Sequence, residues 1–219
     1  MSTSVRKPRG EYAKTASRRR EIIAAAVAVF SVSGFRDGSL REVAERAGLT
    51  HAGVMHHFPT KVDLLQAVLE WHDEQSTQVV VDGLERGQDP LSALLALVEH
   101  NQRNAAIVGL YVQLSAEATS PDHPVHDYFA QRYAGAVASF RSYLDASARL
   151  GRLRPDVDTL GAARRLLGLM DGLQVQWLYD RESVDMAEEI RQFLEPLMTV
   201  ATSARPGGPG APPASQAKD

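Results

Sequence analysis

The chain has 219 residues, of which 44% are hydrophobic and 23% are charged, as in ordinary soluble globular proteins. It contains no cysteine, which excludes disulfide bonds, thiolate metal sites and thiol catalysis. No apolar run reaches the roughly 18 residues that a membrane-spanning helix needs, so we expect a cytoplasmic protein without membrane contact.

The net charge of −3 hides a difference between two parts of the chain. Residues 1–61 contain eleven Lys and Arg against five Asp and Glu, which gives +6. Residues 62–219 contain thirteen against twenty-two, which gives −9. A basic segment joined to a longer acidic one indicates that the first part meets a polyanion.

The N-terminal residues 1–14 are polar and basic, and we expect them to form a disordered arm. Such an arm either contacts phosphates and a minor groove or is merely solvated, and both alternatives stay open. The first helix is predicted over 15–33, where Ala26 and Phe30 belong to an apolar face at helical spacing. Gly34 is expected to end this helix in a left-handed backbone conformation.

Two short helices with a glycine turn between them follow. Ser39 and Glu42 have the spacing of a capping box, so a helix is predicted to begin directly after Ser39. Gly48 ends that helix, and Thr50 can cap a second helix over 51–57. Two short helices joined by a three- or four-residue turn with glycine are typical of the helix-turn-helix, which reads DNA.

Arg41 and Lys61 lie in the first turns of predicted helices, where a positive charge is unfavourable against the helix dipole. Their positions are better explained if a phosphate lies in front of each of these two side chains and of the exposed backbone amides beside it. The alternative is that both are solvated surface charges.

The remainder of the chain is predicted to be helical. Apolar residues at helical spacing predict helices over 61–85, from residue 90, and over 105–114, 124–150, 159–180 and 184–200. No alternating strand pattern competes, so the fold class is all-α with about nine helices. The predicted domains are a helix-turn-helix domain over 15–62 and a larger helical domain over 63–201. A tail over 202–219, rich in proline and glycine, is expected to be disordered.

The segment from Arg18 to Leu65 resembles the N-terminal domain of the TetR family of bacterial transcriptional regulators. The matching features are an apolar first helix that ends in Ser-Gly-Phe, the helix and turn before Thr50, and the string Val54-Met-His-His-Phe-Pro-Thr-Lys61-Val-Asp-Leu-Leu65. The resemblance covers about a quarter of the chain, and the rest agrees with the family in the number and order of its helices. It implies a homodimeric repressor that a small-molecule effector releases from its operator.

The resemblance also implies how double-stranded operator DNA is bound. Helix 51–57 enters the major groove, where His51 is the best candidate to read a base. The residues near the groove floor are Thr50, His51, Ala52 and Gly53. Arg41 matches a position that the family sometimes uses for a guanine. Phosphate contacts, which fix register without reading sequence, are expected from Ser39, His56, His57 and Lys61.

One position departs from the family pattern. The family usually has a tyrosine, whose hydroxyl meets a phosphate, where this chain has Met55. A thioether cannot make that contact, so it is absent or replaced, for instance by His56. The histidines at 51, 56 and 57 do not share one helical face, and no carboxylate or cysteine joins them. We therefore predict no metal site and no cofactor.

The later helices are expected to have two functions. The broad apolar faces of helices 159–180 and 184–200 suit a four-helix interface between two copies of the chain. A dimer places two recognition helices about 34–36 Å apart, as successive major grooves require. The second function is a pocket for an effector, which must bind the DNA-free form more tightly to release DNA.

Candidate pocket residues are polar or aromatic side chains within the apolar helical runs. They are Trp71, Tyr111, Gln113, Glu117, Tyr133, Met170, Asp171, Gln174 and Trp177. Asp171 is the most suggestive, because a buried charge needs a partner that a ligand can supply. The alternatives are a cap or a dimer edge for Asp171, and plain core for each aromatic residue.

Two other classes of function were weighed. An enzyme is not predicted, because the sequence has no glycine-rich phosphate loop, nucleophile elbow or metal constellation. A DNA-binding protein without a small-molecule effector is the alternative to the repressor. A pocket buried in the larger domain favours the repressor, and a solidly packed domain favours the alternative.

Overall fold

The computed structural model describes residues 9–199, in which nine α-helices and one short 3-10 helix follow one another without a named strand. The helices are α1 (Arg9–Asp37), α2 (Leu40–Arg46), α3 (His51–His57), α4 (Lys61–Glu85), α5 (Pro90–Gln102), α6 (Ala105–Glu117), α7 (His126–Arg149), α8 (Thr159–Tyr179) and α9 (Met186–Leu194), with the 3-10 helix at Glu195–Leu197. The all-α fold class is confirmed. None of the helices in this range combines the length and apolar character that crossing a membrane requires.

Helix α1 begins earlier than predicted. It starts at Arg9, so the expectation of a disordered arm is wrong for residues 9–14, where Arg, Glu, Ala and Lys are strong helix formers. Gly34 interrupts the helix at the predicted place with φ 72° and ψ 169°, and a last turn continues to Asp37. Residues 1–8 and the predicted tail 202–219 lie outside the described residues.

The helix-turn-helix forms by the local rules that predicted it. The Ser39 hydroxyl accepts a hydrogen bond from the Glu42 amide, and the Glu42 carboxylate accepts one from the Ser39 amide at 2.8 Å. Gly48 follows α2 with φ 64°. The Thr50 hydroxyl oxygen then accepts a bond from the Gly53 amide at 3.0 Å and caps α3. These bonds fix the angle at which α3 leaves the turn.

Two later helices are shorter than predicted. Helix α7 starts at His126 rather than at residue 124, because the His126 amide bonds back to the His123 carbonyl in a turn. Helix α9 ends at Leu194 rather than at residue 200, because Pro196 has no amide hydrogen with which to extend it. An antiparallel bridge between Leu153 and Met198 then fastens this end to the turn after α7.

One hydrophobic cluster joins the two predicted domains. It includes Phe30 of α1, Val54 of α3, Leu65 of α4 and Leu110 of α6, all of them fully buried. The predicted boundary at residue 62 therefore falls inside a continuous helix, α4, which contributes to both sides. A second cluster packs α5, α8 and α9 together.

Gly38, directly before the cap of α2, tests how tightly this region is packed. A Cβ atom there would lie 2.9 Å from a Phe30 ring carbon and 3.0 Å from the Gly34 carbonyl oxygen. We expect Gly38→Ala to lower the free energy of unfolding by about 1–3 kcal/mol in urea denaturation, because the core cannot accept the methyl group. Gly135→Ala on α7 is the matched control. A Cβ there meets nothing within 4 Å, so we expect it to stabilise by about 0.5–1 kcal/mol. Equal effects of the two substitutions would contradict this packing.

Candidate DNA interface and effector cavity

The N-terminal turn of α3 is open to solvent. His51 and Ala52 are exposed, and Gly53 is half-buried. The Thr50 side chain is exposed, although its oxygen is already an acceptor in the helix cap. Arg41, in the first turn of α2, is also exposed and makes no ion pair within the described residues. The predicted base-reading side chains are therefore accessible to a partner.

Two of the predicted phosphate contacts are affected by their surroundings, Ser39 by a hydrogen bond and His57 by burial and nearby charge. The Ser39 hydroxyl donates to the Glu42 carboxylate at 3.0 Å, so it must break that bond before it can donate to a phosphate. Burial lowers the pKa of His57, and the positive charges of His56, Arg19 and Arg18 lower it further. His57 is neutral at pH 7 and has one N–H to donate. Met55, at the position of the missing tyrosine, exposes 42% of its surface.

Lys61 has a different environment from the one its position suggested. Its Nζ donates to the Arg36 carbonyl at 2.9 Å and to the Gly38 carbonyl at 3.0 Å, and lies 4.7 Å from the centre of the Phe35 ring. A phosphate is therefore not required to explain a lysine at this helix start, because two carbonyl groups after the Gly34 interruption already accept hydrogen bonds from its ammonium group. A phosphate contact through the third N–H stays a prediction.

Arg19 of α1 contacts the C-terminal end of α3, a role that the sequence reasoning missed. Its Nη1 donates to the His57 carbonyl at 2.9 Å, and its guanidinium carbon lies 4.2 Å from the centre of the Phe58 ring. A cation at the end of a helix is favourable against the helix dipole. The only signal in the sequence is the run from Arg18 to Arg20, and that run does not show which arginine turns towards α3.

The larger domain contains a cavity of about 50 Å³ between α4, α5, α6, α7 and α8. Five of the predicted pocket residues line it, namely Tyr111, Tyr133, Met170, Asp171 and Gln174. Seven lining residues were not predicted, namely His72, Asn101, Val108, Ser115, Phe129, Arg132 and Leu167. Helical periodicity marks these positions as buried, but it does not distinguish a cavity wall from solid core.

The other four predicted pocket residues lie elsewhere. Trp71 lines a separate groove beside α1, and Gln113 is exposed. Glu117 lies 3.9 Å from the Arg36 guanidinium and 3.7 Å from the His123 ring, at the junction of α1 with α6. Trp177 is 3% exposed in the cluster with α5 and α9, where the Arg181 guanidinium lies 5.2 Å from its ring centre. These four residues are not part of the cavity wall.

A hydrogen-bonded network centred on Asp73 closes one side of the cavity. The Tyr111 hydroxyl lies 3.2 Å from the Asp73 carboxylate and 2.8 Å from the Leu69 carbonyl. Tyr128 donates to the same carboxylate, and Arg132 Nε lies 3.2 Å from it. Burial, followed by the neighbouring Tyr128 and Asp73, raises the pKa of Tyr111. The side of the cavity that this network forms therefore has neutral hydroxyl groups and an arginine whose charge is paired.

The cavity wall also carries polar groups that the chain partners only in part. Burial raises the pKa of Asp171, although Tyr133 and Arg132 both act to lower it. Asp171 forms no ion pair within the described residues. The Oδ1 atom of Asn101 is buried and has no hydrogen-bond partner in the part of the chain that the structure describes, at a cost of about 1–3 kcal/mol. A carboxylate without an ion-pair partner and an acceptor without a donor, both lining one cavity, favour a bound molecule.

Two family models match the sequence. The model of bacterial regulatory proteins of the tetR family matches residues 22–68. The model of the C-terminal domain of BetI-type transcriptional repressors matches residues 88–199, which is more than half of the chain.

Individual relatives agree with these matches. The HTH-type transcriptional repressor BepR of Brucella suis biovar 1 is 24% identical over 182 residues, which cover 80% of this chain and 87% of BepR. The HTH-type transcriptional regulator BetI of Serratia proteamaculans is 28% identical over 165 residues, which cover 74% of this chain and 79% of BetI.

A solved structure shows the same fold. It is that of a transcriptional regulator from Saccharomonospora viridis in complex with choline, with a TM-score of 0.70 and 21% identity over 84% of this chain and 98% of that one. With an exposed helix-turn-helix on one side and both family models matched, the chain is a DNA-binding transcriptional regulator that belongs to the TetR family.

Proposed function

We propose that this protein is a homodimeric repressor that binds operator DNA through α2 and α3 and leaves it when a small organic cation occupies the cavity. The observation that carries this proposal is the pairing of an accessible recognition helix with a cavity whose carboxylate, Asp171, has no ion-pair partner among the described residues. The alternative, a DNA-binding protein without an effector, predicts a solidly packed larger domain. The cavity favours a binding function over that alternative, and we assign it no catalytic role.

The proposed DNA contacts fall into two groups. His51, Ala52 and Gly53 lie at the start of α3, where a major-groove helix meets base edges, and Arg41 lies at the start of α2. Thr50, the cap of α3, belongs to this first group as well. Phosphates are assigned to Ser39, His56, His57 and Lys61, with Lys61 also holding the end of α1 in place. Operator binding places this function in the cytoplasm.

Two substitutions separate base reading from phosphate binding. Lys61→Met should weaken binding to every DNA sequence, lower the dependence of log K on log salt by about one, and reduce thermal stability because two carbonyl groups lose their donor. His51→Ala should change the preference among operator variants by about 1–3 kcal/mol at one base pair while the salt dependence stays the same. Fluorescence titrations at several salt concentrations measure both.

The outcome of these titrations assigns each residue. An unchanged salt dependence for Lys61→Met removes Lys61 from the phosphate contacts and leaves it as a structural residue. Equal losses on all sequences for His51→Ala make His51 a positioning residue rather than a base reader. Failure of the unmodified protein to bind any operator selected from random DNA overturns the proposed function.

Helix α8 offers a surface for a second copy of the chain. Gly168, Gly172, Val175 and Tyr179 recur on one helical face, and Val175 and Tyr179 are exposed by 40% and 90%. A Cβ atom at either glycine would meet nothing within 4 Å, so a second helix can approach closely. Helix α9 buries Met186, Ile190 and Leu194 within its own chain. We therefore assign the larger share of the interface to α8.

An arginine on this face should prevent dimerisation. We expect Val175→Arg to be monomeric in sedimentation velocity and to bind a full operator at least about tenfold more weakly, because two half-sites are no longer engaged together. Val81→Arg on α4 is the matched control, since Val81 is exposed to a similar extent, 38%. A dimeric Val175→Arg protein would place the interface elsewhere.

The charges around the cavity determine which effector fits. Arg132 is paired with Asp73, and burial lowers the pKa of His72 to about 4, so His72 is neutral at pH 7. Among the lining residues that the structure describes, Asp171 is then the charged side chain without an ion-pair partner, although Tyr133 forms a hydrogen bond to it. The aromatic rings of Tyr111 and Phe129 in the same wall favour a cation further. The choline bound to the regulator from Saccharomonospora viridis is a cation of this class.

Binding of a cation should depend on the ionisation of Asp171. Its carboxylate form attracts the ligand and its protonated form does not, so the affinity for choline should fall as the pH is lowered through the raised pKa of Asp171. The titratable groups that face it are Tyr133, Arg132 and His72. Asp171→Asn should weaken binding about tenfold or more and abolish the pH dependence. Isothermal titration calorimetry measures both effects.

Glu117→Gln is the control for this experiment, because it removes a carboxylate that lies outside the cavity. Choline affinity that is equal in Asp171→Asn and the unmodified protein would reject the cation assignment. Operator binding, measured separately, would still stand in that case.

A further inference from the structure

A second, open groove lies next to the cavity. It has a volume of about 260 Å³ and is bounded by α1, α4 and the turn between α5 and α6. Its lining residues are Val27, Trp71, His72, Gln75, His100, Asn104, Ala106 and Ile107. The groove has an apolar floor, to which the buried Ile107 and half-buried Trp71 contribute, and an exposed polar rim at Gln75 and Asn104.

His72 belongs to the walls of both spaces. The residue is 7% exposed, and its ring centre lies 4.5 Å from that of Tyr111, which lines the inner cavity. Among the described residues no hydrogen bond holds the His72 ring, so packing alone keeps it in place. His72 is thus a side chain that the two spaces share, and a neutral imidazole does not repel a cation beside it.

We propose that the groove is a second compartment of the effector site and receives an apolar arm of the same molecule whose cationic head lies beside Asp171, with the His72 ring as the movable wall between the two compartments. The inference rests on the proposed cationic effector and adds a second requirement to it. The effector is then an amphipathic organic cation, in which an alkyl or aryl arm is attached to the charged group.

The outer compartment also gives the ligand a direct contact with the DNA-binding part of the chain. Val27 lies on α1, whose residues Ile22, Ala26 and Phe30 belong to the core beneath the helix-turn-helix. An arm in the groove contacts Val27 on one side and Trp71 of α4 on the other. Because α4 and α1 both reach the DNA-binding head, a molecule that favours one spacing of these helices shifts the equilibrium between DNA-binding and DNA-free forms.

The test uses alkyltrimethylammonium ions, which keep the charged head constant while the arm grows. Calorimetric titration of the full chain with tetramethylammonium, butyltrimethylammonium and hexyltrimethylammonium should show affinity rising by up to about fourfold for each added methylene that enters the groove. Affinity that is flat or falls with chain length would overturn the proposal.

Substitutions locate the arm. Ala106→Trp fills the groove from an exposed position, so the ratio of hexyl to tetramethyl affinity should fall to about one. Gln113→Trp adds the same side chain at an exposed position of α6 outside both spaces and should keep the ratio of the unmodified protein. His72→Ala removes the wall and should raise the association rate of the hexyl ion.

Each result bears on one of the two proposals. If Ala106→Trp keeps the ratio of hexyl to tetramethyl affinity of the unmodified protein, the arm lies elsewhere and the second compartment is rejected. This conclusion holds even if His72→Ala fails to fold. If tetramethylammonium binds and the longer arms do not raise the affinity, the proposal of a cationic effector stands and the second compartment is rejected. Absence of binding by all three ions rejects both.

Discussion

The arrangement of the larger domain depends on the hydrogen bonds and the ion pair that the Asp73 carboxylate forms. Asp73 lies on α4, while the groups that meet it come from α6 and α7: the hydroxyls of Tyr111 and Tyr128 and the guanidinium of Arg132. The buried Tyr111 hydroxyl needs a hydrogen-bond partner and the half-buried Arg132 is favoured beside an opposite charge, so these contacts hold α6 and α7 in one register against α4. Because Asp73 neutralises Arg132, the charge of the cavity is left to Asp171.

Helix α1 connects the recognition helix to the cavity by contacts that follow one another. Near its start, Arg19 holds the end of α3. Beyond its interruption, Phe35 packs against His123, and Arg36 lies 3.9 Å from Glu117, the last residue of α6. The same helix α6 carries Tyr111 and Ser115 in the cavity wall. Lys61, in the first turn of α4, donates hydrogen bonds to carbonyl groups at the end of α1 and so links α4 to the same series of contacts.

The features that the sequence predicted are those whose causes lie close together in the chain. A cap such as Ser39 with Glu42, or the left-handed Gly48, acts within four residues, and the helix-turn-helix followed directly from such local rules. Lys61 and Arg19 find carbonyl partners 23 to 38 residues away, and no local pattern reveals these. Asp171 and Trp177 were both candidate pocket residues on one predicted helix, with Asp171 the more suggestive and core the alternative for Trp177; Asp171 lines the cavity and Trp177 lies in the core.

The position of His72 has a consequence for the speed of the regulatory response. When a site is enclosed by side chains, a ligand enters only while the wall is displaced, so its association rate is set by the frequency of opening rather than by diffusion. A ring held by packing alone opens more often than one that must break hydrogen bonds. In the proposed effector site, the absence of a bond to His72 among the described residues thus makes the wall less rigid and shortens the delay between the arrival of the ligand and release from DNA.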